Sequence, residues 1–180
     1  MPGTVGGAVA GNAGAHGSDI ASDLLSATIL NEANDVVEWT KSDLQFEYRS
    51  SRIKREARSK QPVILAATFQ LTLADASELA RQADEFNDYR RRTQPPGASM
   101  GSMFKNPPGE AAGRLIDQCG LKGTRVGDAE ISMVHANFFV NHGQAKASDV
   151  KALIDLAQQR VKEKFGIKLE LEIELLGEWR

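Results

Sequence analysis

A single cysteine, Cys119, stands in 180 residues, so no internal disulfide can brace the chain. Its place in the apolar pattern of LIDQCG reads as a small core residue of a cytosolic protein. Aromatic residues make up only 6% of the sequence, and the basic run RSSRIKREARSK, residues 49 to 60, has none interleaved on which bases could stack. Charge of one sign is also lacking: 22 Lys plus Arg against 24 Asp plus Glu leave a net charge of −2. A nucleic-acid partner is therefore not expected, and the run reads as a solvated segment with one candidate functional arginine. No apolar run reaches bilayer length, and the start MPGTVGG has neither the charged nor the apolar region of a secretory leader. The expectation is a cytoplasmic protein with no membrane association. The three histidines, His16, His135 and His142, have no zinc-site spacing and no cysteine pair beside them, so no metal is expected.

Glycine, by contrast, is plentiful and concentrated at the front, in PGTVGGAVAGNAGAHG. Such density lets backbone N–H groups approach a phosphate or a flat cofactor ring, or else lets a turn pack tightly against a sheet. No strand precedes it and the G-x-G-x-x-G spacing is absent, so it is not a dinucleotide fingerprint. After it, LLSATILNEANDVVEW reads as two strands around a turn at Asn31 to Asp35. PVILAATFQLTL reads as a further strand in which Phe69, Leu71 and Leu73 alternate with polar residues. Asp75, with Glu78 three residues on, caps a helix whose buried stripe is Leu79, Ala83 and Phe86.

The Pro/Gly/Ser stretch at residues 93 to 100 marks a linker between a first domain, 1–92, and a second, 101–176, with 177–180 as a tail. In the second domain a short helix over residues 110 to 119 stops at Gly120, and AEISM and ANFFVN supply two short strands. Ser148 caps a long helix in which Val150, Leu153, Ile154, Ala157, Val161 and Phe165 keep the helical spacing, until Gly166 ends it. A last strand, KLELEIELL, alternates Leu169, Leu171, Ile173 and Leu175 against Glu170, Glu172 and Glu174. Mainly antiparallel strands with separate helices make the fold class α+β.

GSMFKNPPG, residues 101 to 109, carries the chemistry-bearing residues in the most confined stretch. Ser102 and Lys105 have the S-x-x-K spacing of serine acyl-enzymes, which needs a helix between them. Pro107 and Pro108 oppose one and push Asn106 to an extended conformation. The companion motifs SDN and KTG are absent, so the acyl-enzyme reading is set aside.

The order PGTVGGAVAGNAGAHG, FEYRSS, RRRTQP, GSMFKNPPGEAAGRLID, HANFFVNHGQAKASDV and FGIKLELEIELLG resembles the UDP-N-acetylenolpyruvoylglucosamine reductases of bacterial cell-wall synthesis. The resemblance implies FAD and NADPH as cofactors and UDP-N-acetylglucosamine enolpyruvate as substrate. It also implies a partial antiparallel-sheet flavin-binding subdomain followed by a small α+β substrate-binding domain. Hydride addition to the enolpyruvyl β-carbon leaves negative charge shared between the α-carbon and the carboxylate, and the α-carbon must then be protonated. On this resemblance Ser102 is the proton donor. Arg49 is the fork that holds the carboxylate as charge builds up, and Glu172 is a carboxyl that hydrogen-bonds the substrate. Tyr48, Lys105, Asn106 and His135 are implied in substrate binding, Lys105 and Asn106 on the diphosphate or uridine side. Gly3, Thr4, Gly6, Gly7, Asn12 and Gly14 are the implied flavin contacts.

The chain departs from the family pattern at its front, where Met1 stands in place of an isoleucine. It thus resembles the C-terminal portion of the enzyme, with half of the cofactor site in an upstream segment and no tight FAD binding expected of this chain alone. Met100 replaces a smaller residue before the catalytic loop. The alternatives are a non-catalytic UDP-sugar-binding fragment, which bound-flavin colour would distinguish, and an unrelated nucleotide-binding protein, which the ordered segments disfavour.

Overall fold

The alternation in residues 24–40 produces a hairpin. In the computed structural model, which describes residues 3–56 and 62–178, Leu24–Leu30 (β3) pairs antiparallel with Val36–Thr40 (β4). The Asn31 side chain closes the turn by accepting from the Ala33 and Asp35 N–H groups, each at 2.9 Å, while Asn34 takes φ 65°. Val63–Phe69 (β5) pairs on the other side of β3, giving the order β4-β3-β5. Ahead of this sheet lie a helical turn, Val5–Ala10 (α1), a two-residue hairpin of Gly14–Ala15 (β1) with Ser18–Asp19 (β2), and Ile20–Asp23 (α2). Lys41–Leu44 (α3) and Arg52–Arg55 (α4) follow β4. Val9, Leu24, Ala27, Ile29, Leu44 and Ile53 form the core.

The chain divides into two compact units, Met1–Leu79 and Ala80–Arg180. Ala76–Thr93 (α5) spans the division. Asp75 caps it as expected, accepting from the Ser77 and Glu78 N–H groups. The expected burial of Leu79, Ala83 and Phe86 is corrected: α5 buries none of its residues, and its apolar stripe stays in contact with solvent, with Leu79 52% and Phe86 37% exposed. Leu71 and Leu73 also depart from expectation. The strand stops at Phe69, where the register with Leu24 runs out, and both leucines lie beyond it in the open. The end of the basic run, residues 57 to 60, Met1, and the last two residues of the tail lie outside the described residues.

In the second unit a four-stranded antiparallel sheet has the order β6-β9-β8-β7, from Ala98–Ser102 (β6), Arg125–Val126 (β7), Ala129–Ile131 (β8) and Phe138–Asn141 (β9). Strand β6 thus starts inside the stretch read as a linker. Ala112–Gln118 (α6) and Ala147–Phe165 (α7) cover the sheet, with Leu115, Ile116, Leu153, Ile154, Ala157 and Val161 in one cluster with Phe104, Ile131, Phe139 and Leu169. Helix α7 ends at Gly166 in the left-handed conformation, φ 71°. Its start is capped by Asp149, which accepts from the Lys146 N–H at 2.9 Å, and not by Ser148. The expected last strand reduces to a bridge between Phe104 and Leu171. Its backbone pairs with residues 103 to 105 through Lys105 N–H to Glu170 O (2.8 Å) and Glu172 N–H to Met103 O (3.0 Å). The α+β class with antiparallel sheets holds.

Candidate active site

In the first unit, the glycine-rich segment is mostly helix. Thr4 caps α1, its Oγ1 accepting from the Gly7 N–H at 3.1 Å, and Gly3 (φ 107°) lies ahead of it with open space where a side chain would be. A Cβ on Gly6 would touch Ile64 at 3.6 Å, so Gly6 faces β5. Gly3, Thr4 and Gly7 are exposed. Asn12 is only 3% exposed, and its amide is committed to the protein: Nδ2 donates to Asp19 and to the Glu47 carbonyl, and Oδ1 accepts from the Ala21 N–H, all at 3.0 Å.

That bond from Asn12 holds the turn that carries Arg49. Glu47 and Ser50 exchange backbone hydrogen bonds (3.0 and 3.1 Å), with Tyr48 and Arg49 at the corner. Arg49 sits at φ 55°, a left-handed conformation that normally goes to glycine. Two residues on, Ser51 is fully buried and donates to Ala10 O at 2.7 Å, anchoring the turn on α1. The guanidinium passes 5.3 Å from the Tyr48 ring centre and over Gly14, where a Cβ would fall 2.8 Å from Nη1 and 2.8 Å from Ser18 O. Gly14, Tyr48 and Arg49 are therefore brought together, and Gly14 is glycine because the arginine occupies its side-chain space.

In the second unit, Ser102 ends β6 just after a bulge. Ser99 pairs with Val140 but Ser102 with Phe138, so β6 carries one extra residue, and Gly101 takes φ 81° there. Ser102 is half-buried; Met103 and Phe104 beyond it are fully buried. The Glu172 backbone bond to Met103 puts Glu172 on the chain segment beside Ser102. Glu170 and Glu174 are exposed, whereas Glu172 is half-buried, so the three glutamates are not equivalent. Lys105 pairs with Glu170 at 3.5 Å; that carboxylate is 71% exposed, so the pair is weak and readily exchanged for another anion. Asn106 accepts from the Ala112 N–H at 3.0 Å and so caps α6 across the two prolines.

His135 packs edge-on to Phe138, centroids 4.9 Å apart, and against Gly113, where a Cβ would come within 2.8 Å of the imidazole. Its Nδ1 accepts from the Asn137 N–H at 3.2 Å, which leaves the proton on Nε2. Burial pushes its pKa below the usual histidine value. Reading the sequence missed Asn137, 2% exposed, whose amide is spent on Phe104. The signal was a lone amide inside the apolar run ANFFV. A cavity of about 370 Å³ opens beside β6 among Met100, Val140, Val150, Ile154 and Ile173, and none of the residues singled out for chemistry lines it. Among the described residues no group of three or more His, Cys, Asp or Glu is placed to hold a metal ion. No described helix is long and apolar enough to cross a membrane.

The family model described as UDP-N-acetylenolpyruvoylglucosamine reductase, C-terminal domain, matches residues 93–176. A protein named UDP-N-acetylenolpyruvoylglucosamine reductase from Bacillus licheniformis is 44% identical over 182 residues, and the match covers all of this chain and 97% of that one. The chain belongs to the UDP-N-acetylenolpyruvoylglucosamine reductase family. The reductase of Chloroflexus aggregans is 48% identical over 177 residues, which are 98% of this chain and 60% of that protein. The crystal structure of the Thermus caldophilus reductase matches with a TM-score of 0.80 and 39% identity over 94% of this chain and 59% of that one. The chain thus spans about 60% of the length of these two relatives, and its α+β fold is that of the family.

Proposed function

We propose that this chain carries part of the machinery that reduces UDP-N-acetylglucosamine enolpyruvate to UDP-N-acetylmuramate in peptidoglycan precursor synthesis, with FAD and NADPH. The observation that carries the reading is the pairing of the Ser102 segment with the Glu172 segment. A hydroxyl and a half-buried carboxyl lie on neighbouring backbones, beside a lysine whose present partner is a surface carboxylate. When bound, FAD supplies the hydride. Gly3, Thr4 and Gly7 fit a flavin dinucleotide because they are exposed and present little beyond backbone; Gly6, Asn12 and Gly14 serve the same segment from the protein side.

The chain's own residues account for the rest of the chemistry. Ser102 hands its hydroxyl proton to the α-carbon, where a carbanionic centre makes a weak acid sufficient. The planar fork of Arg49 takes the carboxylate on which charge accumulates, and Glu172 hydrogen-bonds that group. Lys105 exchanges Glu170 for a phosphate of the substrate, as a mobile point charge can. Tight flavin binding, on this reading, needs the length that the longer relatives have and this chain does not span.

Two measurements test it. The 180-residue chain is titrated with FAD alone and then with the remaining part of the Chloroflexus aggregans reductase supplied in trans. A bound-flavin absorption band and NADPH oxidation in the second case are expected. In the assembled protein, Ser102→Ala leaves flavin reduction by NADPH unchanged and slows reoxidation by the enolpyruvyl sugar at least about a hundredfold. Sugar binding without any flavin band in either case turns the reading into that of a non-catalytic UDP-sugar binder.

A further inference from the structure

The bulge at Met100–Gly101 lifts Ser102 out of regular register, and just beyond it strand β9 ceases to be a partner. Residues 132 to 137 curl into a turn in which Ser132 Oγ accepts from the Val134 and His135 N–H groups, and Phe138 N–H donates to His135 O. The backbone of Met103 still reaches Asn137 O, at 2.7 Å. The next rung is missing. Its place is taken by the Asn137 side chain, whose Oδ1 accepts from the Phe104 N–H at 2.9 Å while Nδ2 donates to the Phe104 carbonyl at 2.8 Å. One planar amide thus reproduces both halves of a backbone rung, 33 residues away in sequence. Phe104 is fully buried and Asn137 2% exposed, so no water can stand in for either bond.

We propose that Asn137 is a positioning residue for the proton donor: it fixes the Ser102–Lys105 backbone where the β9 ladder ends, and through it the hydroxyl of Ser102. The inference rests on the reading of Ser102 as donor. On the far side, residues 170 to 172 hold the same stretch through the Lys105 N–H to Glu170 and the Glu172 N–H to Met103, so the Asn137 amide supplies two of the five hydrogen bonds described for the Met103–Lys105 backbone, and both of those made by Phe104. A hydroxyl that must meet one carbon tolerates a displacement of about 0.5 Å before the rate falls. Asn137→Asp keeps the acceptor, loses the donor and sets a carboxylate against the Phe104 carbonyl.

Hydrogen exchange of the 180-residue chain comes first, and needs no variant. The Phe104 amide is expected among the slowest, alongside Leu153 to Ala157 of α7; exchange as fast as in residues 106 to 110 overturns the proposal. In Asn137→Asp, Met103 to Lys105 are expected to exchange at least about tenfold faster with α7 unchanged; a rise shared by α7 means a general structural role and overturns it. Asn137→Thr is the second variant, with the same expectation. In the flavin-loaded, assembled protein Asn137→Asp should slow reoxidation by the enolpyruvyl sugar at least about tenfold and leave reduction by NADPH as in the parent. If Ser102→Ala slows reoxidation and Asn137→Asp does not, Asn137 is not a positioning residue. If Ser102→Ala itself has no effect, the donor assignment fails first and this inference falls with it.

Discussion

Arg49 occupies a corner where glycine would be more stable, and that discrepancy can be measured. At φ 55° a residue with a Cβ costs about 1–2 kcal/mol, against which glycine's larger unfolded-state entropy costs about 0.5–1 kcal/mol. Comparing Arg49→Gly with Arg49→Ala isolates the backbone, because both lose the same guanidinium contacts with Tyr48 and Gly14. The glycine variant should be more stable by about 1 kcal/mol. For a unit the size of Met1–Leu79 that is about 4–8 °C in melting temperature. Trp39, over whose ring Arg52 lies at 4.5 Å, reports unfolding of this unit by fluorescence, in a Trp179→Phe background that removes the other tryptophan. Both variants should lose the substrate half-reaction in the assembled protein. An alanine variant as stable as the glycine one would refute the strained corner, and with it the argument that an arginine kept there is kept for its guanidinium.

Other expectations follow from the same contacts. Gly14→Ala places a Cβ 2.8 Å from both Arg49 Nη1 and Ser18 O, and should cost about 1–3 kcal/mol in urea unfolding and weaken the Arg49-dependent step. The hydrogen bond from Arg125, followed by that from His142, holds the Glu130 carboxyl below the usual range. Its stabilisation is present above the ordinary glutamate pKa and lost as pH falls through the lowered value. Glu130→Gln should therefore flatten the acid limb of a stability-versus-pH curve, and an unchanged limb would refute the pairing. For His135, burial lowers the folded pKa, so the unfolded chain takes up a proton first as pH drops below the ordinary histidine value, and stability falls there. His135→Phe should remove that inflection, seen by thermal melts between about pH 4 and 8.

The elements that could be read from sequence are those whose signals are local. The β3–β4 hairpin follows from alternation and an Asn31 turn, and α7 from its 3.6-residue period and a glycine that takes the left-handed cap. Strand β6 was hidden because ASMGS has no alternating apolar residues; it is a strand only because β9, forty residues on, offers it a ladder. The stripe of α5 and the pair Leu71 and Leu73 show the converse, since an apolar period says that a face wants burial and not what covers it. At the site, single residues such as Ser102 or Glu172 carry no signal of their own; their order among six segments does. The half-burial that sets Glu172 apart from Glu170 and Glu174 depends on where the chain bridges to Phe104, which alternation cannot show.

Asparagine recurs at three places where irregular backbone carries a residue with proposed chemistry. Asn12 holds the corner of Arg49 through the Glu47 carbonyl, Asn137 supplies a rung to Phe104 beyond Ser102, and Asn106, next to Lys105, caps α6. A short amide is the side chain that best imitates a peptide group, with a donor and an acceptor in one rigid plane and no charge to desolvate. Aspartate in place of Asn12 would face the Asp19 carboxylate, and leucine would leave the Ala21 N–H and the Glu47 carbonyl without partners where Asn12 is almost fully enclosed. A regular strand could provide these bonds by itself, but it could not also hold a left-handed arginine or a serine displaced by a bulge. The amides let each unit present a side chain from non-repeating backbone while keeping the buried polar groups satisfied.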